Sequence, residues 1–441
     1  MAEVKPFRGL RYNLQKTGDL ARAVAPPYDV ISQDEQARLH QRSAYNVVRL
    51  ELGQDLPLDS ERDNKYTRAA ALLTEWRKSG ALAQEERPAF YLVKRQFTYH
   101  GQGHGQGYTR TSVCAAVRLE EPGKGSIKPH EHTNARPKAD RLALLQATRC
   151  NISPVMLLYR ERGSEVRDLL ARAAQRPPTV SSSLGEGERV DLWAVTEGDL
   201  CRKLGACFTG RNLYIADGHH RYETAYAYSQ QASSKNGSAA GYVMAHLVST
   251  DDPGLLDLPY HRVLRNLGRE SLQRVYSQVS RHFQGRYTSQ REQPIDVSLK
   301  ELAGNQQAIF GLVERVDGPF ARYVPRNQQA LDATMPADRV AAWRKLSPSV
   351  LSEVVIKPAL GMSEEEAQRA GLLEFVKDQD DVLAMLRDGG QVGVFTKAVP
   401  LSSLIEVAEA GQRFPPKSTY FYPKLLTGLV MHSLEGEEAT L

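Results

Sequence analysis

The sequence predicts an α+β fold, and three observations predict it. Runs that read as strands (Phe90 to Tyr99, Tyr108 to Leu119, Tyr242 to Ser249) alternate with stretches of helical periodicity such as 61–79 and 270–283. At the centre, Leu213 to Ala227 reads L-Y-I-A-D-G-H-H-R-Y-E-T-A-Y-A: an apolar strand, a turn at Asp217-Gly218, then a helix carrying Tyr222, Ala225 and Tyr226. From about residue 268 the texture changes to short mixed elements. The expected parts are an N-terminal α/β region, 1–109, a core, 110–267, and a C-terminal α/β domain, 268–441.

Near the N-terminus, Pro26 and Pro27 hold A-V-A-P-P-Y-D-V-I extended, so Tyr28 and Asp29 sit at an immobilised point. They form either a structural corner or a pair of polar side chains turned to a site. Ser32 and Glu35 read as N-cap and capping box for a helix from Gln33 to Arg42. Asn46 to Leu52 alternates like a half-buried strand. The helix over 61–79 places Tyr66, Ala69, Ala70, Leu73 and Trp76 on one face and ends at Gly80. Between the next two strands lies H-G-Q-G-H-G-Q-G, His100 to Gly107. Histidines at 100 and 104 have a metal-binding spacing, but alternating glycine favours a solvated hairpin tip.

A second informative stretch is I-K-P-H-E-H-T, Ile127 to Thr133. Pro129 and Pro137 bracket a loop, and from Lys138 the pattern turns helical through Leu142, Leu145 and Ala147. Glu131 lies between two histidines and near Lys128, Lys138 and Arg141. Nearby cations keep a carboxylate ionised and burial raises its pKa, so Glu131 is a candidate base unless the loop is simply solvated. H-E-H lacks the one-turn histidine spacing of H-E-x-x-H zinc sites. Asn151 to Tyr159 reads as a loop entering a buried strand. Residues 160–189 read as an amphipathic helix and a polar connection, Val190 to Val195 as a strand and Thr196 to Leu204 as a short helix.

In the central stretch, Gly218 permits a positive φ and close approach of a ligand to the backbone. The first N–H groups of the following helix are unpaired and can hold an anion. His219, His220 and Arg221 add polar and cationic groups there, and Asp217 adds a carboxylate at a strand end, a place for a metal or hydroxyl ligand. Paired histidines can also simply cap a helix. Ser233 to Gly241 reads as a loop, and Pro259-Tyr260-His261-Arg262 carries a second His-Arg pair. Farther on, helices are expected at 270–283 and near 349–357, with mixed elements over Leu373 to Arg387 and Val392 to Thr396. In F-P-P-K-S-T-Y-F-Y-P-K-L, 414–425, Lys417, Ser418 and Thr419 offer a cation and two hydroxyls between prolines. This is not a Walker A loop, because the glycines are missing. It reaches a phosphate or nucleotide, or it is a structural loop before a last strand from Leu426 to His432.

With 441 residues the chain has room for two or three domains. A net charge of +5 is mild for this size; it suits small anionic ligands and does not indicate nucleic-acid binding. The four cysteines (Cys114, Cys150, Cys201, Cys207) form no C-x-x-C pair and read as free thiols of a reducing compartment. The first residues lack a signal-peptide core and no apolar run approaches membrane-spanning length, so a cytoplasmic protein is expected.

K-P-F-R-G-L-R-Y, A-P-P-Y-D-V-I, P-H-E-x-T with K-x-D-R-L-x-L-L, N-I-S-P, A-D-G-H-H-R-Y-E-T-A and P-K-S-T-Y-F-Y-P-K together resemble the bacterial family of domain of unknown function 1015, from end to end. Phe414 stands where that pattern has Met. The family name implies no activity. More narrowly, P-H-E, a helix, S-P before an apolar strand and strand–D-G-H-H-R–helix resemble the core shared by ParB, sulfiredoxin and the free serine kinases. That resemblance implies a ParB/sulfiredoxin-like core with an insertion at about 161–189. It implies a phosphate cradle at Asp217 through Arg221 and a catalytic Glu131; Lys417, Ser418 and Thr419, read from the tail itself, would join that cradle. Asp217 would hold Mg²⁺ and His220 would share the proton chemistry. His130, Thr133, Tyr28 and Asp29 would meet the substrate. The implied activity is transfer of a phosphoryl group from ATP or ADP to a small hydroxyl metabolite, free serine first. The alternative is a nucleotide-binding switch of ParB type. A sulfiredoxin-like reductase fits poorly, because His219 takes the place of its cysteine.

Overall fold

The computed structural model describes residues 2–101, 105–133, 135–232, 238–289 and 293–436. It is an α+β protein, with helices and sheets along the described residues. His104 of the glycine-rich tip and residues 233–237 of the expected loop lie outside the described residues. Among the described residues, no helix is long and apolar enough to cross a membrane.

The larger sheet has nine strands. In spatial order they are Ile127–Lys128, Leu213–Asp217, Val155–Tyr159, Tyr242–Ser249, Gln106–Arg118, Phe90–Tyr99, Glu188–Val195 and Val180–Gly185, with Val4–Lys5 pairing to Gln106–Arg118. Successive side chains of a strand point to opposite faces, so Phe90 and Leu92 enter one core while Tyr91 and Val93 enter another. The first core is closed by Leu200, Leu204 and Phe208 of the helix Gly198–Phe208, the second by N-terminal side chains such as Phe7, Leu73 and Trp76. Burial on both faces explains why Val155–Tyr159 is apolar throughout.

The second sheet has six strands, in the order Phe283–Thr288, Phe320–Pro325, Phe310–Val313, Gly390–Thr396, His261–Arg265 and Leu373–Val376. Its core is continuous with Met156, Leu158, Tyr214 and Ala216 of the larger sheet. The end of the chain then returns to the start. Tyr420–Tyr422 pairs with Leu256–Leu258, Thr427 bridges Ala25, Met431 bridges Leu10, and His432–Ser433 pairs with Cys150–Asn151.

Several expectations change. The strand expected from Leu426 to His432 is absent; Gly428, at φ +91°, interrupts the run, and only its ends make bridges. Asn46 to Leu52 contains a helical turn, Val48–Glu51, because the Asn46 side chain accepts from the Val48 N–H and donates to the Arg22 and Val24 carbonyls. The polar connection before Val190 is an edge strand, Val180–Gly185, closed by a tight turn at Glu186-Gly187. The helix after Glu131 begins at Ala135 rather than Lys138; Pro137 sits in its first turn, where a missing N–H loses no helical bond. The boundary expected at 109/110 falls inside the strand Gln106–Arg118. The helix from Gln33 to Arg42 stands as expected, with Ser32 accepting from the Glu35 N–H, but the capping box is not completed, because the Glu35 carboxylate turns to Arg38 at 2.7 Å.

One buried ion pair props the cleft described below. Arg141 lies 3.2 Å from Glu51, with side-chain exposures of 5% and 3%. Ser153 also donates to Glu51, at 2.8 Å. The guanidinium stacks 4.1 Å from the Tyr28 ring centre. Arg141→Met leaves Glu51 enclosed without its cation. The expected loss is about 3–5 kcal/mol in urea unfolding, partly recovered in the double variant with Glu51→Gln. A loss no larger than that of a surface substitution would show that the pair does not hold this corner.

Candidate functional site

The site is built at the end of the strand Leu213–Asp217. Its ladder to Val155–Tyr159 shifts register between Ile215 and Asp217, a local bulge of the kind that re-aims side chains. Gly218 follows in the left-handed region, φ +89°, and caps the helix His219–Gln231 without a side-chain bond. Any side chain at 218 would be strained there, and its Cβ would meet the Arg221 guanidinium at 3.0–3.2 Å. The helix's first intrahelical bond runs from the Tyr222 N–H to the Gly218 carbonyl, 2.9 Å. The N–H groups of residues 219–221 therefore have no intrahelical acceptor.

This turn forms one wall of a cleft of about 360 Å³. Tyr28 and Asp29 come to it from the N-terminal corner, Glu131 and Pro137 from the loop and first turn of the next helix, Ala216 to Arg221 from the central motif, Tyr260 from the start of the second sheet, and Lys417, Thr419 and Lys424 from the returning tail. Distant segments that looked promising singly are thus brought together. Three expected residues do not line it. His130 is fully buried behind the wall and shares a 3.1 Å hydrogen bond with Thr419. Ser418 is buried and donates to the Pro415 carbonyl, 2.7 Å. Thr133 donates to Glu223, 2.5 Å, which also takes Lys138 at 3.0 Å.

The cleft sorts its charges. Asp217 accepts from Arg221 at 2.6 Å and from Lys424 on its other oxygen. Burial alone would raise its pKa, but Lys424 and Arg221 outweigh burial and hold the carboxyl below the usual range. Arg221 also donates to the Pro154 carbonyl. Lys424 sits 5.2 Å from the Tyr420 ring centre and Lys417 5.5 Å from that of Tyr260. Lys417 has φ +54°, a conformation rare for side-chain-bearing residues that persists where the surroundings enforce it.

Glu131 is treated differently. A quarter of its side chain (26%) stays open to the cleft. Burial pushes its carboxyl up to about 7 against the pull of Lys417 and Lys424, with Asp217 and Asp29 adding to the rise. His219 holds its backbone: the N–H groups of His130 and Glu131 donate to His219 Nε2 at 3.2 and 3.3 Å. Those bonds leave the proton on Nδ1, which stands 3.9 Å from Glu131 Oε2. Burial drives His219 well below its usual pKa, and His130 is pushed to about 3, also by burial first. His219 is thus a neutral clamp on the loop. His220 faces the cleft, and burial lowers it too.

Two cleft residues, Lys424 and Tyr260, are not assigned to a site by the sequence analysis. Lys424 closes the run P-K-S-T-Y-F-Y-P-K, where a second lysine after rigid prolines is the available signal. Tyr260 lies in the segment read for its His-Arg pair, and Arg141, read as a neighbour of Glu131, pairs with Glu51 instead.

Fold and site together define an α+β protein with a cleft lined by Lys417, Lys424 and Arg221 and by a carboxylate, Glu131, that burial pushes up to about 7. The chain belongs to the family described as "Protein of unknown function (DUF1015)", whose model matches residues 4–347. No curated protein matches the sequence. Among solved structures, a free serine kinase in complex with AMP is 13% identical over 67% of this chain and 83% of that one, at a TM-score of 0.33. A conserved hypothetical protein from Pyrococcus furiosus is 15% identical over 68% and 89%, at 0.34. SbnI with a C-terminal truncation, from Staphylococcus aureus, is 10% identical over 71% and 85%, at 0.35. At these values the likenesses leave chemistry and substrate open.

The raised Glu131 pKa makes a prediction that needs no known activity. The native state holds this proton more tightly than the unfolded chain, whose carboxyl titrates near 4.5. Its contribution to stability is therefore full below about 4.5 and declines as pH rises through about 7. Glu131→Gln should raise the melting temperature at pH 8 and leave it nearly unchanged at pH 4, below the unfolded-state value. An equal effect at both pH values would mean that Glu131 titrates as an ordinary surface carboxylate.

Proposed function

We propose that this protein is a nucleotide-dependent phosphotransferase acting on a small hydroxyl compound, with free serine the first acceptor to test. The observation that carries the reading is Glu131, a carboxylate poised near neutral pH on the wall of a cleft that also offers Lys417, Lys424, Arg221 and the open start of a helix. Phosphoryl transfer asks the protein mainly for positioned phosphates, charge neutralisation and a base on the attacking hydroxyl. In this reading the phosphates of ATP or ADP lie against Gly218 to Arg221 with Lys417 and Thr419 beside them. The acceptor hydroxyl gives its proton to Glu131 as its oxygen bonds to the terminal phosphorus and the bond to the bridging oxygen breaks. His220 is the second proton carrier, and Tyr28 and Asp29 hold the acceptor. The motif resemblance to the ParB, sulfiredoxin and free serine kinase core agrees with this arrangement.

The expected Mg²⁺ ligand is a different matter. Both oxygens of Asp217 are engaged by cations. Among the described residues, no three His, Cys, Asp or Glu side chains are grouped to hold a metal. The donor set does not fit a resident Mg²⁺ at Asp217, and charge neutralisation is assigned here to Lys417, Lys424 and Arg221. The same closed Asp217 triad favours a second reading, a nucleotide-binding switch in which phosphates compete for Arg221 and Lys424.

One experiment separates the two readings. ATP and ADP are each incubated with serine and a panel of hydroxyl compounds, and transfer is followed by phosphorus NMR. Glu131→Gln should lower the transfer rate by roughly 10²–10⁴-fold with nucleotide affinity nearly unchanged. The wild-type rate should rise with pH through about 7 as Glu131 loses its proton, and the variant should lack that limb. A wild-type rate in Glu131→Gln removes the base assignment. Nucleotide binding with no transfer to any acceptor moves the protein to the switch reading.

A further inference from the structure

The six-stranded sheet ends in an open edge. Among the described residues, Phe283–Thr288 pairs on one side only, antiparallel to Phe320–Pro325. The register fixes which backbone groups that ladder uses. The Arg326 N–H donates to the His282 carbonyl at 3.0 Å, which makes Phe283 and Pro325 a non-hydrogen-bonded pair. By alternation the ladder bonds fall to Gln284, Arg286 and Thr288, and the N–H and C=O groups of Gly285 and Tyr287 point away from the sheet. Neither residue has another backbone partner among the described residues. Of the devices that usually blunt an edge, the strand has a single charge, Arg286. Gln284 and Arg286 are exposed, and Tyr287 is 68% exposed.

We propose that this edge pairs with the same edge of a second copy of the chain, antiparallel about a two-fold axis at Gly285, so that the sheet continues across the axis. The strand is complementary to itself in that register. The outward N–H and C=O of Gly285 meet those of the partner's Gly285, and the Tyr287 N–H meets the carbonyl of the partner's Phe283. The Phe283 N–H is already spent on the Val279 carbonyl of the preceding helix, Arg269–His282. Tyr287 stands opposite the partner's Phe283 on one sheet face, which covers its exposed ring. On the other face Arg286 stands opposite the partner's Gln284. Within its own chain Arg286 is placed against Arg322, a like charge whose guanidinium is taken by Glu301 at 2.6 Å. Across the axis it gains a hydrogen-bond acceptor instead. Glycine at the axis leaves room for the flanking rings: a Cβ at 285 would meet Tyr323 at 3.1 Å and Tyr287 at 3.2 Å. One short strand from each copy makes a small interface, so the dimer is weak and concentration-dependent.

The test is sedimentation equilibrium of the full chain, from micromolar to near-millimolar concentration, with hydrogen exchange measured at both ends of that range. The wild type should pass from monomer to dimer, and the amides of Gly285 and Tyr287 should exchange more slowly in the concentrated sample. Gln284→Arg sets two symmetry-related like-charge pairs across the axis and should weaken the dimer by about tenfold. Adding Arg286→Glu turns both into opposite-charge pairs and should restore association, a rescue that a disordered edge would not give. Three outcomes overturn the proposal. One is a chain that stays monomeric throughout, which leaves the edge to a peptide or another protein. Another is a dimer in which the Gly285 and Tyr287 amides exchange as fast as in the monomer. The third is a Gln284→Arg variant that associates like the wild type. None of these measurements involves the cleft, so the result is independent of the phosphotransferase reading.

Discussion

The buried triad Arg221–Asp217–Lys424 is the constraint on which the rest of the structure depends. A carboxylate at the end of a core strand is tolerable only with its charge compensated, and breaking such a pair is far more costly than replacing it with apolar groups. Asp217 takes one cation from the helix that follows its strand and the other from the end of the chain. That second partner fixes the path of the tail. Arg95 donates to the Lys424 carbonyl at 2.6 Å and Arg110 to the Tyr422 carbonyl at 3.4 Å. These two arginines stand directly opposite in adjacent strands, a like-charge placement that is unfavourable by itself. Burial pushes Arg110 down to about 9, with Arg95 adding to the effect. Glu188 and the tail carbonyls compensate. The sheet therefore holds the tail, the tail presents Lys424, and Lys424 neutralises Asp217.

Asp217 and Glu131 show how one cleft holds two carboxylates in opposite states. Asp217 is buried and Glu131 largely so, and burial acts on both in the same direction. Asp217 has two cations in contact and stays ionised. Glu131 has cations nearby but none in contact, so burial prevails and it titrates near neutrality. Environments that push two carboxyl groups apart are a way of assigning different roles to the same side chain. His219 belongs to this arrangement as a neutral group. A charged imidazole at that point would donate from both nitrogens and lose its grip on the two loop N–H groups it now accepts from.

What the sequence made legible was local. Leu213 to Asp217, Gly218 and the helix after it follow from an apolar run, a residue free to take positive φ, and helical spacing. Ser32 is read as an N-cap for the same reason. Glu131 was legible as a candidate base, yet its neighbours in sequence were poor guides: Lys138 turns to Glu223 and Arg141 to Glu51, and the cations that act on Glu131 are Lys417 and Lys424. The misses share one cause. Alternation at Asn46 to Leu52 was overridden by the hydrogen bonds of a single asparagine. The apolar run from Leu426 to His432 is buried by threading across the N-terminal region instead of joining a ladder. His130, Ser418 and Thr133 are polar residues in the right segments whose side chains are spent on internal partners. Periodicity and motif spacing carry no information about which way such a side chain turns.

The distribution of the cleft along the chain has a further consequence. Its walls run from Tyr28 to Lys424, and contacts so distant in sequence carry a closure cost that local elements do not. The turn at Gly218 can form with its own strand and helix, but Lys417, Thr419 and Lys424 arrive only when the tail docks through its short ladders to Leu256–Leu258 and Cys150–Asn151. Until then Asp217 has Arg221 alone, and Glu131 lacks the lysines that temper its burial. The charge pattern of the cleft is thus a property of the fully docked chain. The tail, which reads in sequence as a loop between prolines, is the element through which overall folding and local chemistry are joined.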